Sequence, residues 1–149
     1  RNRSRCLRAR SLPDIACYDD DEYYCDVYGM YYNPEEANKV CPSGWHLPSD
    51  EEWNALFNFV GDSLTAGTYL RARNVWDTSL YPETEGAMDD YGFSAAPAGV
   101  YVFGDEGKVS FFHSSTNGYN DVAVVETANI YYSTVGDATR IPLRCLKDN

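Results

Sequence analysis

Positive charge is scarce in this chain beyond its first ten positions. Of 12 basic residues, Arg1, Arg3, Arg5, Arg8 and Arg10 stand at the start, so the remainder sets 7 basic against 23 acidic residues, a net of -16 within a formal charge of -11. An acidic body repels phosphate backbones, which argues against nucleic acid as the partner of the folded domain. Asn2, Ser4 and Cys6 interrupt the arginines and leave no amphipathic face. Residues 1–12 are therefore read as a basic N-terminal arm, solvated or lying against a neighbour, ahead of one domain over 13–149.

Other absences narrow the chemistry. No apolar run approaches the ~20 residues that cross a bilayer, so no direct membrane span is expected. No signal peptide is visible, and the sequence is read as a mature fragment. The five cysteines show no CxxC and no Cys/His ligand spacing, which points to disulfides rather than zinc and so to an oxidising compartment outside the cytoplasm. No Gly-x-Ser-x-Gly elbow surrounds His113 and Ser114-Ser115, and His46 is read as a packed, hydrogen-bonded side chain, so catalysis is not expected. Asp19, Asp20, Asp21 and Glu22, and separately Asp89 and Asp90, offer the hard oxygens calcium prefers, but the EF-hand glycine and closing glutamate are missing. No cofactor is expected, with calcium at those six acids as the alternative.

What the chain has in quantity is aromatic: 13 Tyr, 6 Phe and 3 Trp within a 44% hydrophobic composition. At 149 residues it is long enough for one core, since a chain of this length buries about 70% of its unfolded surface. Ser49 and Glu52 make a capping box, Trp53, Leu56, Phe57 and Val60 follow at helical spacing, and Gly61 is suited to a left-handed stop, so a helix is predicted from Asp50 to Val60. Asn33, Pro34 and Glu36 repeat the start logic for a shorter helix ending near Val40. Residues 12–32 read as an acidic loop-rich stretch, Trp45-His46-Leu47 as a strand, and 61–99 as a long irregular insertion. Period-two patterning then marks strands at Val100-Tyr101-Val102-Phe103, Val109-Ser110-Phe111-Phe112, 121–125, 129–132 and 141–146, with a hairpin turn at Gly104-Asp105-Glu106-Gly107. The class is α+β.

The run Cys41-Pro42-Ser43-Gly44-Trp45-His46-Leu47-Pro48-Ser49 with Glu52-Trp53 resembles the signature of the Fibrobacter succinogenes major paralogous domain (FISUMP), a bacterial surface family similar in fold to C-type lectins. Cys17-Tyr18-Asp19 with Cys25, Tyr28-Gly29 with Tyr31-Tyr32, Thr65-Ala66-Gly67 with Leu70, Gly92-Phe93-Ser94-Ala95, Pro97-Ala98-Gly99, Ser114-Ser115-Thr116 and Arg144-Cys145-Leu146 look like further blocks of that family, in order. Two departures stand out: Phe112-His113 replaces an aromatic pair, and Arg140-Ile141-Pro142-Leu143 replaces a Gly-Phe-Ser before the last arginine. The resemblance implies a C-type-lectin-like domain with two early helices, a long loop insertion and a C-terminal antiparallel sheet. It also implies disulfides Cys41 to Cys145 and Cys17 to Cys25. Cys6 is left over, to pair with a segment or subunit outside this chain or to remain a free thiol. Enzymes that share a distant version of that fold, such as the formylglycine-generating type, need a reactive cysteine pair in the pocket, and none is spaced here.

The function so implied is a secreted, non-catalytic binding or adhesion module at a bacterial cell surface, recognising a glycan or a surface protein. Its ligand surface is expected on the long loop, at Arg71, Arg73, Trp76, Asp77 and Tyr81, and on the late strands, at Asn117, Tyr119, Asn120, Tyr131 and Tyr132. Aromatic faces beside Asn and Asp suit sugar rings and protein surfaces alike. The alternative is a structural subunit of a surface filament or layer, a homo- or hetero-oligomer joined through residues 1–12, because members of that family normally carry an extra N-terminal strand and a domain lacking an edge strand accepts one from a neighbour.

Overall fold

The computed structural model describes residues 15–18, 21–76, 86–99, 108–116, 120–125, 130–134 and 140–149, with 120–125, 131, 133 and 134 described by their backbone. The capping box forms as its sequence dictates. Ser49 Oγ accepts the Glu52 amide at 3.3 Å, and Glu52 Oε2 accepts the Ser49 amide at 2.9 Å. Numbering elements in chain order, the helix so started is α3 (Asp50–Val60), and it buries Trp53, Phe57 and Val60 along one stripe. That stripe meets Ala66, Leu70, Trp76, Ala95, Phe112 and Ile130 in the main core. Trp53 is its aromatic centre, with ring centroids 6.0 Å from Phe57, 5.8 Å from Phe112 and 6.1 Å from Phe93.

Helices and short antiparallel sheets make a mixed α+β domain. β1 (Ile15–Ala16) pairs with β2 (Tyr31–Tyr32), and between them lies α1 (Glu22–Tyr28). α2 (Pro34–Ala37) is capped by Asn33, whose Oδ1 accepts the Glu36 amide at 2.8 Å. β3 (Trp45–His46) leads into α3, and α4 (Ala66–Leu70) follows it. β4 (Val109–His113), β5 (Asn120–Val125) and β6 (Ile130–Thr134) form a three-stranded antiparallel sheet in the order β4-β5-β6. β7 (Leu146–Lys147) returns to pair with β3, Trp45 opposite Lys147. Both expected disulfides are present, Cys17 to Cys25 and Cys41 to Cys145.

Several expectations are corrected. Residues 12–32 are not loop throughout: Asp21 Oδ1 accepts the Tyr23 amide at 2.9 Å, and Gly29, at a φ of 85°, closes α1 by donating to Cys25 O. α2 stops at Ala37 rather than near Val40, because the Lys39 amide turns back to Glu36 O and the Asn38 side chain to Pro34 O. The insertion after α3 holds a helix, which Asp62 organises by accepting the Leu64 and Thr65 amides and the Thr65 hydroxyl. Gly61 does end α3, but at a φ of 160° and a ψ of -106° rather than left-handed, and a Cβ there would lie 2.5 Å from Thr65 Oγ1. The last strand is Leu146–Lys147, not 141–146: Pro142 has no amide to give a ladder, and Ile141 makes only an isolated bridge to Tyr32. The strand expected at 100–103 and its turn at 104–107 lie outside the described residues, as does residue 129.

Candidate functional site

The loop after α4 is built by backbone strain that short polar side chains hold in place. Asp89 and Ser94 take positive φ, 47° and 53°. Asp89 Oδ1 accepts the Ser94 amide at 2.7 Å, and its second oxygen accepts the Ser94 hydroxyl. The Met88 amide donates to Thr68 O, and the Met88 carbonyl accepts Arg73 Nε, so this loop is tied to α4 and to the turn after it. Parallel bridging of Arg71 with Ala95 completes the anchoring. Beneath the loop Arg144 lies 5.2 Å from the Phe93 ring centroid and 5.9 Å from that of Phe112. Burial pulls its guanidinium pKa down, and Asp89 opposes that. On the outside, Tyr91, 53% exposed, meets Phe59 of α3, 74% exposed, edge to face at 5.6 Å.

The loop residues expected to bind ligand divide. Arg71 and Trp76 are corrected from surface to interior: Arg71 is 1% exposed, donates from Nε to Gly67 O and lies 5.6 Å from the Trp76 ring, while Trp76 donates from Nε1 to Ala95 O. They hold the loop root. Arg73 is exposed, 3.4 Å from Asp90 Oδ1. Asp77, Tyr81, Asn117 and Tyr119 lie outside the described residues. Asn120 stands opposite Thr134 and Tyr131 opposite Ala123 in the sheet register. The Tyr132 hydroxyl lies 3.0 Å from Asp50 O and 2.9 Å from Asn54 Oδ1, binding β6 to α3, and burial pushes its pKa to about 12.

The acids proposed for calcium have structural work. Asp21 caps α1, Glu22 is in its first turn, Asp89 closes its own loop and Asp90 meets Arg73; Asp19 and Asp20 lie outside the described residues. Among the described residues no group of three or more His, Cys, Asp or Glu is placed to hold a metal.

The histidines are equally engaged. His46 Nδ1 lies 2.6 Å from Asp148 Oδ1 and Nε2 lies 2.9 Å from Glu52 Oε1, so each ring nitrogen faces a carboxylate. The bonds to Asp148 and then Glu52 raise the His46 pKa, and the Ser49 amide leads in lowering that of Glu52. His113, buried, has Nε2 2.8 Å from Tyr32 O. Ser114 Oγ donates to Asp50 Oδ1 at 2.5 Å, and Thr116 Oγ1 accepts the Asp50 amide at 2.8 Å. The Ser-Ser-Thr block thus docks on the start of α3.

Phe59 and Tyr91 are the exposed pair that sequence reasoning missed. The readable signal was an aromatic off the Trp53-Phe57-Val60 stripe.

Among the described residues no helix is long and apolar enough to cross a membrane. The model of the Fibrobacter succinogenes major domain (Fib_succ_major) matches residues 6–147 of the chain. No curated protein and no solved structure matches it.

Proposed function

The chain belongs to the Fibrobacter succinogenes major domain family, and from that premise we propose a non-catalytic, C-type-lectin-like binding or adhesion module displayed at a bacterial cell surface, taking a glycan or a surface protein. The observation that carries the reading is the Phe59-Tyr91 pair. Two large rings left mostly in water, locked edge to face between a capped helix and a loop fixed by Asp89, lose little freedom when a ligand covers them. Arg73 and Asp90 stand on the same loop system and supply donors and acceptors. Two disulfides belong to an oxidising compartment, which supports display outside the cytoplasm.

A glycan array and a surface-protein panel probed with the full chain test this. A ligand found there should bind about tenfold or more weakly to Phe59→Ala and to Tyr91→Ala, with the fold unchanged by circular dichroism. Chelator should leave its binding unchanged. Undiminished binding by both variants overturns the assignment of this surface, and turnover abolished by His46→Gln or His113→Gln overturns the non-catalytic reading.

A further inference from the structure

A second face, on the far smaller helix α1, carries a different chemistry. Seven residues are too few to hold a helix alone, and α1 buries none of its own. It is held by its Asp21 cap, by the Cys17 to Cys25 disulfide and by a column of tyrosines. Tyr24 and Tyr28, one turn apart, stack with centroids 5.9 Å apart and planes 4° from parallel. Tyr18 sets its edge against both, at 5.4 and 6.4 Å, and leans at 6.0 Å on Tyr31, which is buried. Tyr23, 66% exposed, meets Tyr24 at 5.4 Å. The column is therefore rooted in the fold at one end and open to water at the other.

From Ser11 to Asn38 the sequence around α1 carries charge of one sign. Between Arg10 and Lys39 the sequence has no Lys, Arg or His and carries Asp14, Asp19, Asp20, Asp21, Glu22, Asp26, Glu35 and Glu36. Asp21, Glu22 and Asp26 are exposed at and along α1 itself. Aromatic faces with a carboxylate rim match one kind of side chain. A guanidinium is planar, weakly hydrated and forked, so it stacks on a tyrosine ring while donating to a carboxylate; a lysine ammonium, compact and strongly hydrated, cannot stack in that way.

We propose that the tyrosine face of α1, exposed at Tyr23 and half-buried at Tyr24 and Tyr28, is a docking surface for an arginine-rich segment of a partner protein. It is separate from the Phe59-Tyr91 surface and stands whether or not that one binds. The chain's own residues 1–10 hold five arginines, so a variant with all five replaced by serine controls for self-competition.

The probe is a fluorescent twelve-residue peptide with five arginines, titrated by anisotropy against the full chain and against the five-serine variant. Saturable binding that weakens with added salt is expected, as is weaker binding of the same peptide with lysine for arginine. Tyr24→Leu and Tyr28→Leu should each lower affinity about tenfold, Asp26→Asn should lower it several-fold without touching a ring, and Phe59→Ala should leave it unchanged. No binding to either protein overturns the proposal. So does equal affinity for the lysine peptide, because the attraction is then bare charge, and so does affinity that survives both Tyr24→Leu and Asp26→Asn, because the peptide then binds elsewhere. A neutral oligosaccharide that binds this face where the peptide does not also overturns it.

Discussion

His46 gathers several threads into one residue. Its ring joins β3 to the N-terminus of α3 through Glu52 and to the C-terminal segment through Asp148. The histidine pKa is raised, so its contribution to stability is full below the ordinary value near 6.5 and is lost as pH rises through the raised one. Glu52 is lowered, so its share is present above the ordinary carboxylate value and is lost as acid passes through the lowered one. Both are largely solvated, so the effect is small and salt-sensitive. Raising pH from about 6 to about 9 should lower the thermal midpoint of the wild type more than that of His46→Gln. Parallel curves would mean that the ring is not protonated in this triad. Trp76 belongs at the same scale and shows where residue-type reasoning fails. A tryptophan in a loop-like stretch reads as a binding residue, yet here its indole bonds Ala95 O inside the core. Trp76→Ala should therefore destabilise the fold by about 3–5 kcal/mol, measured by urea denaturation, rather than weaken binding of a folded protein.

Among elements, α3 was legible because every local signal agreed: cap, stripe and stop all fall within the sequence of one helix. The late sheet was legible from alternation for the same reason. What stayed hidden depended on partners distant in sequence or on competing meanings of one residue. The acids before Cys25 left calcium open as an alternative, whereas Asp21 is a helix cap. α4 is five residues with a glycine in its first turn, and the Asp62 turn before it together with burial against α3 makes it a helix. Phe59 lies off the buried stripe of α3, and its partner Tyr91 is 32 residues away in sequence. The Ser114-Ser115-Thr116 block was recognisable as a family word without a physical reason, and the reason is the start of α3, 64 to 66 residues upstream. Ser49→Ala should cost about 1 kcal/mol through the lost cap, and Thr116→Val a similar amount by leaving the Asp50 amide without its acceptor. If Thr116→Val leaves the denaturation midpoint unmoved, water replaces that hydroxyl and the block does not hold the helix start.

For the whole molecule, the two disulfides act on different lengths and should fail differently. Cys41 to Cys145 spans 104 residues and ties the segment before β3 to the one before β7, alongside β3-β7 pairing and the His46-Asp148 bond. Opening it returns loop-closure entropy worth about 4.7 kcal/mol to the unfolded chain, against about 2.5 for the eight-residue separation of Cys17 and Cys25. The second bridge instead supports an element with no buried residue of its own. Replacing Cys41 and Cys145 with serine should thus lower the global denaturation midpoint by the larger amount, with all elements lost together. Replacing Cys17 and Cys25 should lower it less and let α1 open locally, which hydrogen exchange reads as lost protection of the Tyr24 to Tyr28 amides while α3 stays protected. The arginine-peptide affinity should fall with that opening, because the stacked tyrosines need the helix turn that sets them in register. If α1 keeps its exchange protection without its disulfide, the tyrosine column alone holds the helix, and the short bridge is spare covalent reinforcement of a surface that side-chain packing already organises.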